Sequence, residues 1–414
     1  MRTKTIVVLL TIILSNVCFS QSGWVSQSLV TSNLYHGVFF VNSNTGFIVG
    51  DNGSLLKTTN AGAEWIIKNS GTSYALHKVI FINTEVGLIV GENGTVLRSV
   101  NAGDNWTAIP TGLPNNVSGN CNRITFANEN TGFIASCSGI LKSTNSGLNW
   151  SLIYPTSTYL FGFNFVNANT GMAIGDNATV IRTTNGGLNW SPVSLSGFNF
   201  QLCGITSTNE NLFYIVGGTE GSSATMLRTT NFGNEWILMN TPATNRLNTI
   251  QFANAVTGYA VGHNGTILKS TNSGINWVKQ TINTTRDLWD ISVISPLEAV
   301  TTGKSGGIYR TNTGGLTGLV SNNSILPEKF DLYQNYPNPF NPSTTIKFDL
   351  AQSSKVVLKV YNIKGEEVAN LVENTFSAGR YSIDWNAASF NSGTYFYKLE
   401  TVQGILTKKM VLVK

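Results

Sequence analysis

Leu55-Leu56-Lys57-Thr58-Thr59-Asn60-Ala61-Gly62-Ala63-Glu64-Trp65 decides the fold, because its pattern returns along the chain. A hydroxyl, an Asn, a Gly and a closing Trp recur at 58–65, 99–106, 143–150, 183–190, 229–236 and 270–277. Trp marks the period at 24, 65, 106, 150, 190, 236 and 277, in steps of 41, 41, 44, 40, 46 and 41. A repeat near 41 residues that holds four short strands is the mark of propeller blades. Upstream of each box lies a strand pair, Val38-Phe39-Phe40-Val41 and then Thr45-Gly46-Phe47-Ile48-Val49-Gly50 in the first unit. The pair recurs at 79–91, 124–136, 163–175, 205–217, 250–262 and 291–303. A second turn follows, Asp51-Asn52-Gly53 or Glu92-Asn93-Gly94. Asn-Gly suits a type I′ turn, whose two central residues both need positive φ.

The seventh unit is incomplete. Residues 309–315 align with 181–187, but Gly318 stands where Trp is due, and the missing strand appears at the other end as Gly23-Trp24-Val25-Ser26. This predicts a ring of seven blades closed by pairing strands from both ends of the repeat. The box itself resembles the Asp-box (Ser-x-Asp-x-Gly-x-Thr-Trp), with Thr or Ser first and Asn in the Asp position. Its short polar side chains are expected to bond their own turn and its indole to bury, which makes it a folding device rather than a site. Residues 24–318 resemble the photosystem II assembly-factor propellers of the Ycf48 type and, more loosely, the BNR/sialidase-like superfamily. The resemblance implies the fold. A photosystem role would follow only from the family name, and export from the cell argues against it.

Charged residues are 11% of the chain, so short strands and tight turns are expected rather than helices. From 21 to 320 there are 14 Lys/Arg and 13 Asp/Glu, a difference of +1, and nothing in that balance suggests nucleic acid as a partner. Arg2 and Lys4 precede an apolar run at 6–14, and Cys18-Phe19-Ser20 offers small residues at −3 and −1, so residues 1–20 read as a signal peptide. Acylation of Cys18 is the rival, and Val17 fits it poorly. No later segment is apolar enough for a spanning helix, so membrane contact is expected only through surface anchoring. Cys121 and Cys137 flank a hairpin and form a candidate disulfide, with Cys203 left over as a small hydrophobe.

After a linker at 319–326, strands alternate at 345–350, 355–361, 367–372, 381–385, 394–400 and 407–413, which predicts a small Ig-like sandwich. The fold class is therefore all-β: a seven-bladed β-propeller (21–318) and then an Ig-like β-sandwich (327–414). Tyr336-Pro-Asn-Pro-Phe-Asn-Pro342, Val360-Tyr-Asn-Ile-Lys-Gly365, Gly393-Thr-Tyr-Phe-Tyr-Lys-Leu399 and Lys408-Lys-Met410 occur in that order. This stretch resembles the type A sorting domain of the type IX secretion system. The resemblance implies contact of 327–414 with that machinery, passage through the periplasm and the outer membrane of a Bacteroidetes/Chlorobi-type bacterium, and anchoring or release.

Two patterns stand out as candidate sites. Lys57, Arg98, Lys142, Arg182, Arg228, Lys269 and Arg310 occupy one equivalent position in all seven units. Such regularity suits stems packed between blades better than a ligand band. Symmetry breaks instead at the start of each innermost strand, at His36, His77, Asn122, Phe161, Cys203, Asn248 and Trp289. These positions ring the channel mouth and are the candidate binding face for an extracellular protein or glycan. No metal, cofactor or catalytic residue is expected. The alternative, a secreted glycoside hydrolase of sialidase-like type, needs a carboxylate pair drawn from Asp51, Asp176, Asp287 and Asp290. Arg123, Arg246 and Arg286 are the arginines left outside the repeat position, and no Phe/Tyr-Arg-Ile-Pro segment occurs.

Overall fold

The structure is a computed structural model that describes residues 23–27, 30–111, 121–195, 197–198, 200–219, 224–315, 327, 329–352, 354–376, 379–387 and 390–414. The expected leader and linker lie outside the described residues. Seven four-stranded antiparallel sheets form the blades, and a three-stranded and a four-stranded sheet form the sandwich. Blade 1 runs outward as Tyr35–Phe40, Gly46–Gly50, Leu55–Thr58 and Ile66–Ile67. Blades 2 to 6 repeat it from Leu76–Phe81, Cys121–Phe126, Leu160–Phe165, Gln201–Ser207 and Leu247–Phe252. Each innermost strand packs on the next, and Leu288–Val293 of blade 7 packs back on Tyr35–Phe40.

Blade 7 closes as the repeat requires. Gly23–Ser26 is its outermost strand, with Gly23 opposite Gly315, Val25 opposite Arg310 and Ser26 opposite Tyr309. Trp24 is 2% exposed and meets Tyr259 of blade 6 edge-on at 6.1 Å. Every second strand, such as Phe47-Ile48-Val49 or Leu88-Ile89-Val90, is buried along its whole length because a blade lies on each face. That is why these strands read as unbroken apolar runs rather than alternating ones.

The turns follow local chemistry. Asn52 and Gly53 sit at φ 56° and 65°, as do Asn93 and Gly94 at 51° and 65°. In the box, Thr58 Oγ1 accepts the Gly62 N–H at 2.9 Å and Asn60 Oδ1 accepts the Glu64 N–H at 2.9 Å. The first of these bonds recurs in every unit down to Gly315 N–H on Thr311 Oγ1 at 2.8 Å. The incomplete seventh box is thus folded although its Trp comes from residue 24.

In the sandwich, Ser343–Leu350 and Gly379–Asn386 face Ser354–Asn362, Gly393–Thr401 and Gly404–Leu412 across a core that includes Phe348, Trp385, Leu358 and Tyr397. The Tyr-Pro-Asn-Pro-Phe segment has a structural task here. Asn335, 2% exposed, donates its backbone N–H to Tyr397 Oη at 2.8 Å and its amide to Thr344 Oγ1 at 2.9 Å. Asn338 Oδ1 accepts the Val411 N–H at 2.9 Å, and the Phe340 N–H donates to the Val411 carbonyl at 3.0 Å. The segment therefore clasps the free edge of the terminal strand, where unpaired peptide groups would otherwise stand open. Among the described residues no helix is long and apolar enough to cross a membrane.

Candidate functional site at the channel mouth

Antiparallel register places the start of each innermost strand beside the turn that follows the second strand, as in Tyr35 opposite Gly50 and Leu288 opposite Gly303. The register then skips one residue in every blade, between 35 and 37, 76 and 78, 121 and 123, 160 and 162, 202 and 204, 247 and 249, and 288 and 290. The skipped residues are His36, His77, Asn122, Phe161, Cys203, Asn248 and Trp289, the positions at which the repeats disagree. A β-bulge leaves its extra residue out of the ladder and re-aims its side chain. The backbone device is sevenfold, and only the side chains it carries vary.

On one side of the mouth these side chains build an aromatic arc. The His36 ring stacks on His77 at 5.2 Å and 22° and meets Trp289 at 6.2 Å, while Trp289 meets His263 at 5.8 Å. The chain has 3 histidines in all, and all of them lie in this arc. His36 Nε2 and Asp51 Oδ1 share a hydrogen bond of 2.8 Å. Burial, and then the nearby His36 and Arg123, push the His77 imidazole down to about 4, so it is neutral at physiological pH.

The other side is polar. Arg246 is 9% exposed and donates Nη1–H to Gln201 Oε1 at 2.7 Å, and Gln201 donates to Asp176 Oδ1 at 3.0 Å. Burial pushes the Cys203 thiol up to about 11, against the pull of Arg246 and Arg123. Tyr159 stacks on Phe161 at 6.3 Å. Beneath the mouth, a cavity of about 200 Å³ is lined by Lys78, Arg123, Phe161, Cys203, Gln251 and Asp290 among others.

Not every expected residue faces the mouth. Asn248 is 3% exposed and donates to the Leu288 carbonyl at 2.7 Å, which makes it a strut between blades 6 and 7. The side chain of Asn122 lies outside the described residues. So does that of Cys121, and with it the candidate disulfide; Cys137 and Cys203 are free, and the register sets Cys121 opposite Ser136. His263, Arg246, Gln201 and Lys78 were not singled out as mouth residues by the repeat. His263 was legible as the histidine replacing an acidic turn residue, and Arg246 as an arginine off the basic position.

Among the described residues the candidate carboxylates of the mouth are all engaged. Asp290 is 2% exposed, accepts the Val38 N–H at 3.0 Å and pairs with Lys78. Asp287 accepts the Asn264 N–H at 3.0 Å and pairs with Lys304 at 2.6 Å. Burial alone would push the Asp287 carboxyl up, but Lys304, the Asn264 N–H and His263 together hold it below the usual range. Among the described residues no group of three metal-ligating side chains comes together.

The basic residues lie elsewhere, between blades. The fourth residue of each box has positive φ, as at Ala102, Ser146, Gly186, Phe232 and Gly314. Its carbonyl accepts from the basic residue of the preceding blade: Lys57 on Ala102 at 2.8 Å, Arg98 on Ser146 at 3.1 Å, Lys142 on Gly186 at 2.6 Å, Arg182 on Phe232 at 2.7 Å and Lys269 on Gly314 at 3.0 Å. Arg228 reaches Ser273 through the Tyr214 hydroxyl. Arg310, at the seam where blade 7 meets blade 1, instead faces Glu298 at 3.8 Å. Several of these cations also stand over a ring, such as Lys142 over Phe133 at 5.6 Å. At the Arg310 seam the inner strands hold the joint, through Asp290 on Val38 N–H and Ser292 Oγ on Phe40 N–H at 2.9 Å.

Comparison with known proteins agrees with this architecture. Residues 17–154 match the family of the photosynthesis system II assembly factor YCF48, and residues 334–414 match the secretion system C-terminal sorting domain. No curated protein matches the chain. Among solved structures, Ycf48 bound to a D1 peptide aligns with TM-score 0.59 at 19% identity over 70% of this chain and 97% of its own. Ycf48 from Cyanidioschyzon merolae aligns with TM-score 0.58 at 18% identity over 70% and 98%. PorZ, a surface component of the type IX secretion system of Porphyromonas gingivalis, aligns with TM-score 0.57 at 10% identity over 94% of this chain and 60% of its own. At these identities the likeness is one of fold, while the terminal motifs carry the route: the chain is a Ycf48-like β-propeller with a C-terminal type IX sorting domain, exported by that system to the cell surface or the extracellular space.

Proposed function

We propose that the chain is a non-catalytic binding module that presents its channel mouth to an extracellular protein or glycan. The proposed division is a leader at 1–20, a propeller at 21–318, a linker at 319–326 and a sorting domain at 327–414. One observation carries the reading: seven identical bulges display side chains that no longer repeat, and they gather every histidine of the chain around Trp289. A scaffold needs no such departure, because the boxes and the basic residues already join the blades. The Ycf48 structure with a bound peptide supports the reading to the extent that a propeller of this shape can seat a ligand.

Hydrolysis is disfavoured by the state of the carboxylates. Asp51, Asp176, Asp287 and Asp290 each hold a local partner, and a general acid must be free to deliver its proton to a substrate oxygen. Glycan-array and surface pull-down binding, run beside turnover assays on Asp→Asn variants at these four positions, tests the proposal. Binding that is lost in Trp289→Ala, with no turnover in any variant or in the wild type, is expected. Turnover abolished by one of the Asp changes would overturn it.

A further inference from the structure

Among the described residues the mouth contains a charge with no counter-charge beside it. Arg246 is 9% exposed, and among the described residues its guanidinium bonds only the neutral Gln201 and its Nε–H has no acceptor. Among the described residues no carboxylate lies within ion-pairing distance of it. A guanidinium stays protonated in a protein, and burying one without an anion is costly. Five of the seven seam cations end on carbonyl groups between blades and Arg310 faces Glu298, whereas Arg246 ends at the rim. Its carbonyl accepts the His263 N–H at 2.9 Å, so the guanidinium begins where the aromatic arc stops. In the same arc the Trp289 Nε1–H is buried and has no acceptor.

We infer that the mouth binds an acidic glycan, a chain of pyranose rings bearing carboxylates of the hexuronate kind. This rests on the binding-module reading and names the ligand class for it. The rings of His77, His36, Trp289 and His263 follow one another at 5.2, 6.2 and 5.8 Å, with Trp289 turned 64° and 59° to its neighbours, so a run of ring faces and edges lines the rim where the C–H faces of sugar rings can pack. Arg246 supplies the anion contact through the guanidinium hydrogens that Gln201 leaves unused, and Trp289 supplies ring surface. The channel beneath adds the same sign: of its three charged lining residues, Lys78 and Arg123 are cationic and Asp290 is already paired with Lys78. A peptide fits less well, since strand-like recognition uses separate pockets for alternate side chains and the arc is an unbroken run of rings.

The test uses the purified full chain and calorimetric titration with a galacturonate oligosaccharide, its carboxyl-reduced neutral form, and a peptide with a free or an amidated C-terminus. Binding of the galacturonate at least about tenfold tighter than of the reduced form is expected, weakening with salt. Arg246→Met should erase the difference between the two sugars, while Trp289→Ala, which removes the ring, should weaken both. Because the two sugars are compared on the wild-type chain, the result does not depend on a variant folding. Equal binding of both sugars, or binding of neither, overturns the inference. If the peptide alone binds and Trp289→Ala removes it, the binding-module reading stands and the acidic-glycan inference fails. If no ligand found on the arrays responds to Trp289→Ala, both fail.

Discussion

Asp290→Ala should destabilise the propeller by a calculable amount without touching any chemistry. The Asp290 carboxylate lies at the seam where the basic residue reaches no carbonyl of the next blade, directly or through a hydroxyl, and it joins three blades: its own, blade 1 through the Val38 N–H at 3.0 Å, and blade 2 through Lys78. Truncation leaves a buried N–H and a part-buried ammonium without partners. Breaking a buried pair from one side costs about 3–5 kcal/mol, and the lower end applies because Lys78 retains 19% side-chain exposure and can turn toward channel water. Unfolding entropy of about 2.1 cal/mol/K per residue over roughly 300 residues converts about 3 kcal/mol into a fall in Tm of about 5 °C. Asp290→Asn keeps an acceptor for Val38 and should cost less, about 1–2 kcal/mol. Lys78→Met combined with Asp290→Asn removes both charges, retains the acceptor, and should recover most of the loss, giving a coupling energy of at least about 1 kcal/mol. Calorimetric melting of the wild type, these three variants and Lys78→Met alone reads all of this. A Tm unchanged in Asp290→Ala, or a double variant no better than the sum of its parts, would refute the structural role. Lost turnover with an unchanged Tm in Asp290→Asn would make the residue a catalytic acid instead.

Lys142→Met should lower the denaturant midpoint by the equivalent of about 1.5 kcal/mol, because a charged donor to the Gly186 carbonyl is lost, whereas Arg310→Met should cost no more than about 0.5 kcal/mol. The depressed His77 makes the folded state bind protons less readily than the unfolded chain, whose imidazole titrates at 6.5. Stability should therefore be full above pH 6.5 and fall as the pH drops toward 4, and melting curves of His77→Asn should lose that slope. Removing residues 327–414 should leave the propeller in the periplasm, seen by fractionation of cells. Asn338→Ala should do the same by loosening the clasp on the terminal strand, and cargo that still reached the surface would separate sorting from this packing.

The sequence by itself determined the blade count, the strand exchange and the sandwich, since each is written locally. A strand buried by blades on both faces needs an apolar run, and a type I′ turn needs Asn-Gly at adjacent positions. A box that bonds its own amides needs a hydroxyl four residues before its Gly. Repetition then shows which of these features are scaffold, and it marks the start of the innermost strands as the place where the units diverge. Tertiary structure alone decided what those positions do. His36, His77 and His263 are far apart in the chain and meet only because ring closure brings blades 6, 7, 1 and 2 together. Asn248 and Trp289 hold equivalent places in the repeat, yet one bridges two blades and the other joins the arc, a difference set by which neighbour lies within reach. Arg246 stands out in the sequence only as an arginine off the repeat's basic position. Only the packed rim shows it buried with no anion beside it, because burial and charge pairing depend on side chains that the fold gathers from separate repeats.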